Sequence, residues 1–102
     1  MDTIKINGVE YRVEVNWRVL CSFLEYKECN DMSCFNNMSV KDYSALLALS
    51  IEEGERQEGR SVDAAEIVMT MPVSDASQVI ARFMEIYVSQ ATPKTSGEPK
   101  KD

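Results

Sequence analysis

Apolar and polar residues alternate across the first fifteen positions of the chain, and the dipeptide Asn7-Gly8 interrupts the alternation. Asn-Gly is the preferred pair for a two-residue type I′ turn, because both turn positions need a positive φ. A turn at this point places Ile4 opposite Tyr11 on one side of an antiparallel ribbon. The pattern therefore predicts a β-hairpin over residues 3–15, and such a ribbon needs a helix against its apolar side to be stable.

Apolar residues then recur at helical spacing in four segments, each preceded by an Asn, Ser or Asp of the kind that caps helix N-termini. The caps are Asn16, Ser39, Asp63 and Ser74, and the predicted helices cover about residues 17–27, 40–56, 64–70 and 75–90. Pro72 ends the third helix, because proline cannot continue the hydrogen-bonded ladder. Residues 28–38 are rich in turn formers and predict a loop with at most one short helical turn around Asp31–Phe35.

One hairpin followed by a run of helices predicts the α+β fold class, with an N-terminal β-hairpin packed on a mostly α-helical bundle of three to four helices. The chain has 102 residues, a length that suits one domain, and we place that domain at residues 1–90. Residues 91–102 contain no large apolar side chain. This composition predicts a disordered polar tail.

Charge and hydropathy limit the kinds of partner that the chain can bind. The chain carries 11 Lys and Arg against 17 Asp and Glu, a formal net charge of -6. This balance argues against binding to nucleic acid or to an anionic membrane surface, since both need clustered basic residues. The longest apolar clusters are too short to span a membrane, and the first residues do not form a signal peptide pattern. With three cysteines, too few for a disulfide framework, we expect a cytoplasmic protein with reduced thiols.

The candidate chemistry is sparse. The chain has no His, which removes the commonest general base and the commonest metal ligand. It also has no Walker loop, no G-x-G-x-x-G and no G-x-S-x-G. Cys29 and Cys34 have C-x4-C spacing, with Cys21 upstream and Asp31 between them, but no fourth Cys or His completes a structural zinc set. We therefore expect no catalytic residues, no cofactor and no metal, and a role in binding or assembly.

Two features leave alternatives open. Acidic residues crowd the stretch 52–66, which is either a solvated helix end or a rim that docks a basic partner. Trp17 stands at the start of the first helix, where it either closes the core against the hairpin or lies in a contact surface.

The order of the segments carries a family resemblance. The hairpin Ile-Lys-Ile-Asn-Gly-Val-Glu-Tyr-Arg-Val leads into Asn16-Trp17-Arg18-Val19-Leu20-Cys21-Ser22-Phe23-Leu24-Glu25, then a short linker, the segment Ser39–Glu53 and a later helix with Phe83-Met84. This layout resembles the small tail assembly chaperones of long-tailed bacteriophages and prophages over roughly residues 3–90. Asn7-Gly8 and Leu20–Glu25 are the nearest thing to a motif.

The resemblance implies a non-enzymatic protein of the bacterial host cytoplasm. Members of this family bind the tape measure protein, keep it soluble and help to recruit tail tube subunits. The partner-binding residues that we expect are Trp17, Val19 and Tyr26 on the first helix, with Glu52, Glu53, Glu55 and Glu58 as an electrostatic rim. Two other functions stay open: an acidic regulatory or inhibitory module that binds a nucleic-acid enzyme, and a structural subunit of a phage-like particle. Association with a second copy of the chain is also left open.

Overall fold

The computed structural model describes residues 2–91. Two strands come first, β1 (Thr3–Ile6) and β2 (Val9–Arg12), and four α-helices follow: α1 (Trp17–Lys27), α2 (Val40–Gln57), α3 (Ala64–Met69) and α4 (Val73–Ala91). A 3-10 turn, Met32–Phe35, lies between α1 and α2. This order confirms the predicted α+β fold class. The predicted disordered tail lies outside the described residues from position 92 onward, while Ala91 is the last residue of α4.

The hairpin forms in the register that its turn predicts. Asn7 and Gly8 both have positive φ, at 53° and 80°, and Ile4 pairs with Tyr11. Strand pairing ends at Arg12, earlier than the predicted limit of residue 15. The alternation still continues beyond the ladder, because Val13 and Val15 are both buried.

Local capping chemistry explains where three of the helices begin. Oδ1 of Asn16 accepts the Val19 N–H at 3.1 Å at the start of α1. At the start of α2, Ser39 and Asp42 form a reciprocal capping box, with bonds of 3.0 and 3.1 Å. Asp63 caps α3 through the N–H of Glu66.

The fourth helix begins earlier than its predicted cap. α4 starts at Val73, so Ser74 lies inside the helix and does not cap it. The carbonyl of Pro72 accepts the N–H of Asp75 at 2.9 Å, which lets the first turn form directly after the proline. Proline is well tolerated at this end of a helix because it lacks only an N–H that the first turn does not use.

One core holds the ribbon and the helices together. α2 is central: it packs against α1, α3, α4 and β2, while α4 also covers β1. Buried apolar side chains come from the hairpin segment and from all four helices. The largest fully buried ones include Phe23, Leu46, Leu47, Ile51, Phe83 and Ile86. Among the described residues, no helix combines the length and the apolar character needed to cross a membrane.

Candidate functional site

The aromatic residues expected to bind a partner are at the surface of α1. Trp17 is 66% exposed and Tyr26 is 46% exposed, so neither closes the core. Val19 is only 2% exposed, and its selection as a contact residue was wrong. Helical geometry gives the reason: Val19 precedes the buried Phe23 by four residues and therefore shares its inward face.

The acidic end of α2 is divided between surface and core. Glu52 and Glu58 are exposed, but Glu53 and Glu55 are only 5% and 3% exposed. The prediction that Glu53 and Glu55 form part of an electrostatic rim is therefore wrong. Glu58 also has an internal partner, because its carboxylate pairs with the guanidinium of Arg12.

Glu53 is held by donors from two helix ends. Its carboxylate accepts Nε and Nη2 of Arg56 at 3.0 and 2.7 Å, Nδ2 of Asn16 at 2.9 Å and Nε2 of Gln57 at 3.1 Å. These bonds, those from Arg56 first, lower the pKa of Glu53 from 4.5 to about 2 although burial opposes the shift. Asn16 thus caps α1 with its oxygen and binds α2 with its nitrogen.

Glu55 makes a second internal clamp. Its carboxylate accepts the backbone N–H of Arg12 at 2.8 Å and Nε and Nη2 of Arg60 at 2.5 and 3.2 Å. The bonds from Arg60 are the main reason that the pKa of Glu55 lies below its ordinary value. Both buried carboxylates are therefore structural groups that tie α2 to the hairpin, to α1 and to the following loop.

The sequence did contain a signal for this burial. Glu53 follows the buried residues Leu46 and Ser50 by seven and three positions, and Glu55 follows Ile51 by four. These are spacings of one helix face, so the inward face of α2 continues through its acidic end. The many charged residues in this stretch instead favoured the prediction of an exposed acidic rim.

An apolar recess of about 190 Å³ opens at the surface where α2 and α3 meet the end of α1. We call it the α2–α3 groove, and its lining consists of Tyr26, Lys41, Ser44, Ala45, Ala48, Ala65, Val68 and Met69. Alanines allow close approach of a partner, while Tyr26 and Met69 stand exposed in its lining. The arrangement suits contact with an apolar side chain rather than acid-base chemistry.

A larger and more polar recess of about 340 Å³ lies between α1, α2 and the loop after α2. Its lining includes Arg18, Arg56 and Arg60. Arg56 and Arg60 are engaged by the buried carboxylates described above, and Arg18 lies 3.8 Å from Glu53. The charges in this recess largely neutralise one another, and these ion pairs hold the acidic end of α2.

The thiols differ from the expectation that all three are reduced. Cys29 and Cys34 form a disulfide, and Cys21 is free and exposed. The intervening 3-10 turn explains the pairing, because it brings the two Cα atoms to 6.6 Å. Asp31 caps that turn through the N–H of Ser33 at 2.9 Å. Hydrogen bonds from Ser33 lower the pKa of Asp31 from its ordinary value.

Comparison with known proteins identifies no relative of this chain. No protein-family model matches the chain, and no curated protein or solved structure matches it either. The resemblance to tail assembly chaperones accordingly depends on the segment order and on the residues Asn7-Gly8 and Leu20–Glu25. The function of the chain is inferred from that order and from its own surface.

Proposed function

We propose that this chain is a non-enzymatic tail assembly chaperone of a phage or prophage, acting in the cytoplasm of the bacterial host. It binds the tape measure protein, keeps it soluble and helps to recruit tail tube subunits. The observation that best supports this function is the α2–α3 groove, an open apolar recess bordered by the exposed side chains of Tyr26 and Met69.

The groove suits an apolar stripe on a helical client. Ala45, Ala48 and Ala65 leave room for large apolar side chains, which would lose contact with water as they enter. Each Å² of apolar area removed from water contributes about 25 cal/mol, and the same area is no longer available for aggregation of the client. Docking of an amphipathic helix into an apolar groove is a recurrent mode of recognition.

Trp17 provides a second contact of the same kind. It lies at the opposite end of α1 from Tyr26 and exposes two thirds of its surface. Aromatic side chains in such positions often dominate binding energy, because they bury a large area with little loss of conformational freedom.

The electrostatics favour a chaperone over an acidic module that mimics the phosphates of a nucleic acid. An acidic module that replaces a nucleic acid needs exposed, unpaired carboxylates in rows, whereas Glu53 and Glu55 are buried and paired with Arg56 and Arg60 of the same chain. The exposed Glu52 remains beside them as a group that attracts a basic residue of the client.

Co-expression with the tape measure protein tests the proposal. The candidate to co-express is the product of the long, helix-rich open reading frame nearest the gene, and size exclusion with light scattering would detect a soluble complex. We expect the long protein to precipitate alone and to become soluble with this chain. If it precipitates equally in both cases, the chaperone function is wrong. Rings or filaments of the small chain alone would instead indicate a structural subunit.

Two matched substitutions locate the contact. Ala65→Glu places a charge in the groove, and Val73→Glu places the same charge on the exposed start of α4. Both positions are in the first turn of a helix, where an acidic residue is well tolerated. We expect only Ala65→Glu to abolish the complex. Equal effects of the two variants would show that the groove is not part of the binding surface.

A further inference from the structure

The disulfide turn contains a set of metal-ligating groups that the proposed function does not use. Sγ of Cys29, Sγ of Cys34 and a carboxylate oxygen of Asp31 all lie within 4.8 Å of one another. The three residues belong to one segment between α1 and α2, and none of them lines the α2–α3 groove. Two sulfurs and one carboxylate are a ligand combination that zinc accepts.

The turn is held in place by contacts other than the disulfide. Asp31 accepts the N–H of Ser33 through Oδ1, and the hydroxyl of Ser33 donates to the same oxygen. Within residues 2–91, no donor reaches Oδ2 of Asp31, which leaves that oxygen available to a cation. Phe35 packs against the buried Phe23 with ring centroids 5.2 Å apart, which anchors the turn to the core. Opening of the disulfide therefore leaves the three groups near one another.

We propose that reduction of the disulfide converts this turn into a zinc site, with Cys29, Cys34 and Asp31 as ligands and water in the fourth position. A dithiol reductant supplies two electrons and two protons, yields the two thiols and itself becomes a disulfide. Binding of Zn²⁺ then releases the two thiol protons to solvent, since thiolates are the ligating form. Oxidation of the pair would expel the metal.

A water molecule in the fourth position removes the need for a fourth protein ligand. A closed structural site needs four protein ligands, and the chain has no His and only three Cys. An open site needs only three, as in zinc centres that keep a water ligand. The exposed position of Asp31 gives solvent access to that coordination point. This site is independent of the chaperone function.

Cobalt titration of the full chain tests the proposal directly. The protein is reduced with a phosphine, freed of reductant without air and titrated with Co²⁺, whose bonds to thiolate give intense charge-transfer absorption. We expect one Co²⁺ per chain with two thiolate ligands, complete displacement by Zn²⁺, and no absorption in the oxidised protein. Absence of charge-transfer bands in the reduced protein would overturn the proposal.

Substitutions identify the ligands. Cys34→Ser removes one thiolate and should weaken binding by more than about tenfold, because even changes outside the ligand set have effects of that size. Asp31→Asn keeps a good helix cap but removes the carboxylate, so it should weaken binding while far-UV circular dichroism stays unchanged. Cys21→Ser removes the exposed thiol of α1 and should have no effect.

The contrary results are equally clear. Bands that persist in Cys34→Ser, or that vanish in Cys21→Ser, would show that cobalt binds elsewhere or bridges two chains. Unchanged affinity in Asp31→Asn would exclude the three-ligand site. Any of these results would overturn the assignment, whether or not the chain proves to be a chaperone.

Discussion

The backbone N–H of Arg12 donates a hydrogen bond of 2.8 Å to Oε2 of Glu55. This bond joins the last residue of β2 to a carboxylate on α2 that is almost completely buried. Arg60 binds the same carboxylate from the loop after α2. One glutamate thus connects the hairpin, the central helix and the connection to α3.

Loss of this carboxylate should destabilise the fold. We expect Glu55→Ala to lower the free energy of unfolding by about 2–3 kcal/mol, because it leaves a backbone N–H without its charged acceptor. Urea unfolding followed by far-UV circular dichroism measures the change. The control is Glu52→Ala, which removes an exposed carboxylate of the same helix and should change stability by no more than about 0.5 kcal/mol. Equal losses in the two variants would contradict the internal role of Glu55.

The neighbouring Gly54 is required for the close approach of α2 to the hairpin. A Cβ at this position would collide with the carbonyl group of Arg12 and lie 2.9 Å from the backbone nitrogen of Val13. Gly54→Ala should lower the free energy of unfolding by about 1–3 kcal/mol, even though alanine is the better helix former by about 1 kcal/mol. Urea unfolding is again the measurement.

A second glycine provides the comparison for Gly54. Gly59 has a φ of 81° with open space around its Cβ position, so its constraint is conformational rather than steric. Asparagine tolerates such a φ. We therefore expect Gly59→Asn to be mild and Gly54→Asn to be severe. Similar effects of the two asparagine substitutions would rule out a backbone collision at Gly54.

Stability should fall in acid through the protonation of Glu53. Its pKa is lowered from 4.5 to about 2 in the folded protein, chiefly by the hydrogen bonds from Arg56. A lowered folded-state pKa contributes stability above the unfolded value, and this contribution is lost as pH falls through the folded value. The difference corresponds to about 3 kcal/mol.

Comparison with Glu53→Gln isolates this contribution, because the other carboxylates with a lowered pKa, Asp31, Asp42 and Glu55, are present in both proteins. Urea unfolding at a series of pH values should show a large stability gap between wild type and variant near neutrality. The gap should narrow as pH falls from about 4.5 towards about 2. A gap of constant size across this range would show that the charge of Glu53 is not the stabilising element.

Trp17 should matter for binding and not for folding. We expect Trp17→Ala to change the free energy of unfolding by no more than about 0.5 kcal/mol, whereas Phe23→Ala in the core should lower it by about 3–5 kcal/mol. The affinity for the client should drop by at least about fivefold in Trp17→Ala. Val40→Ala, which truncates another exposed apolar residue, serves as the binding control. A large loss of stability in Trp17→Ala would show that this residue contributes to the packing of the core.

The secondary-structure elements of this protein could be predicted from its sequence, because the interactions that define them are local. Asn7-Gly8 specified the turn and its register, since few other residues accept positive φ at two successive positions. Ser39 and Asp42 specified the start of α2 through side chains only three residues apart. The fold class followed from the order of these elements.

Which residues are available to a partner could not be predicted in this way, because it depends on tertiary packing. Trp17 and Val19 are two positions apart on one helix, yet one is exposed and the other is buried. Glu53 and Glu55 became internal because arginines and a backbone N–H from other segments converge on them. Burial depends on which helix face meets its neighbours, and that is a property of contacts between segments distant in the sequence.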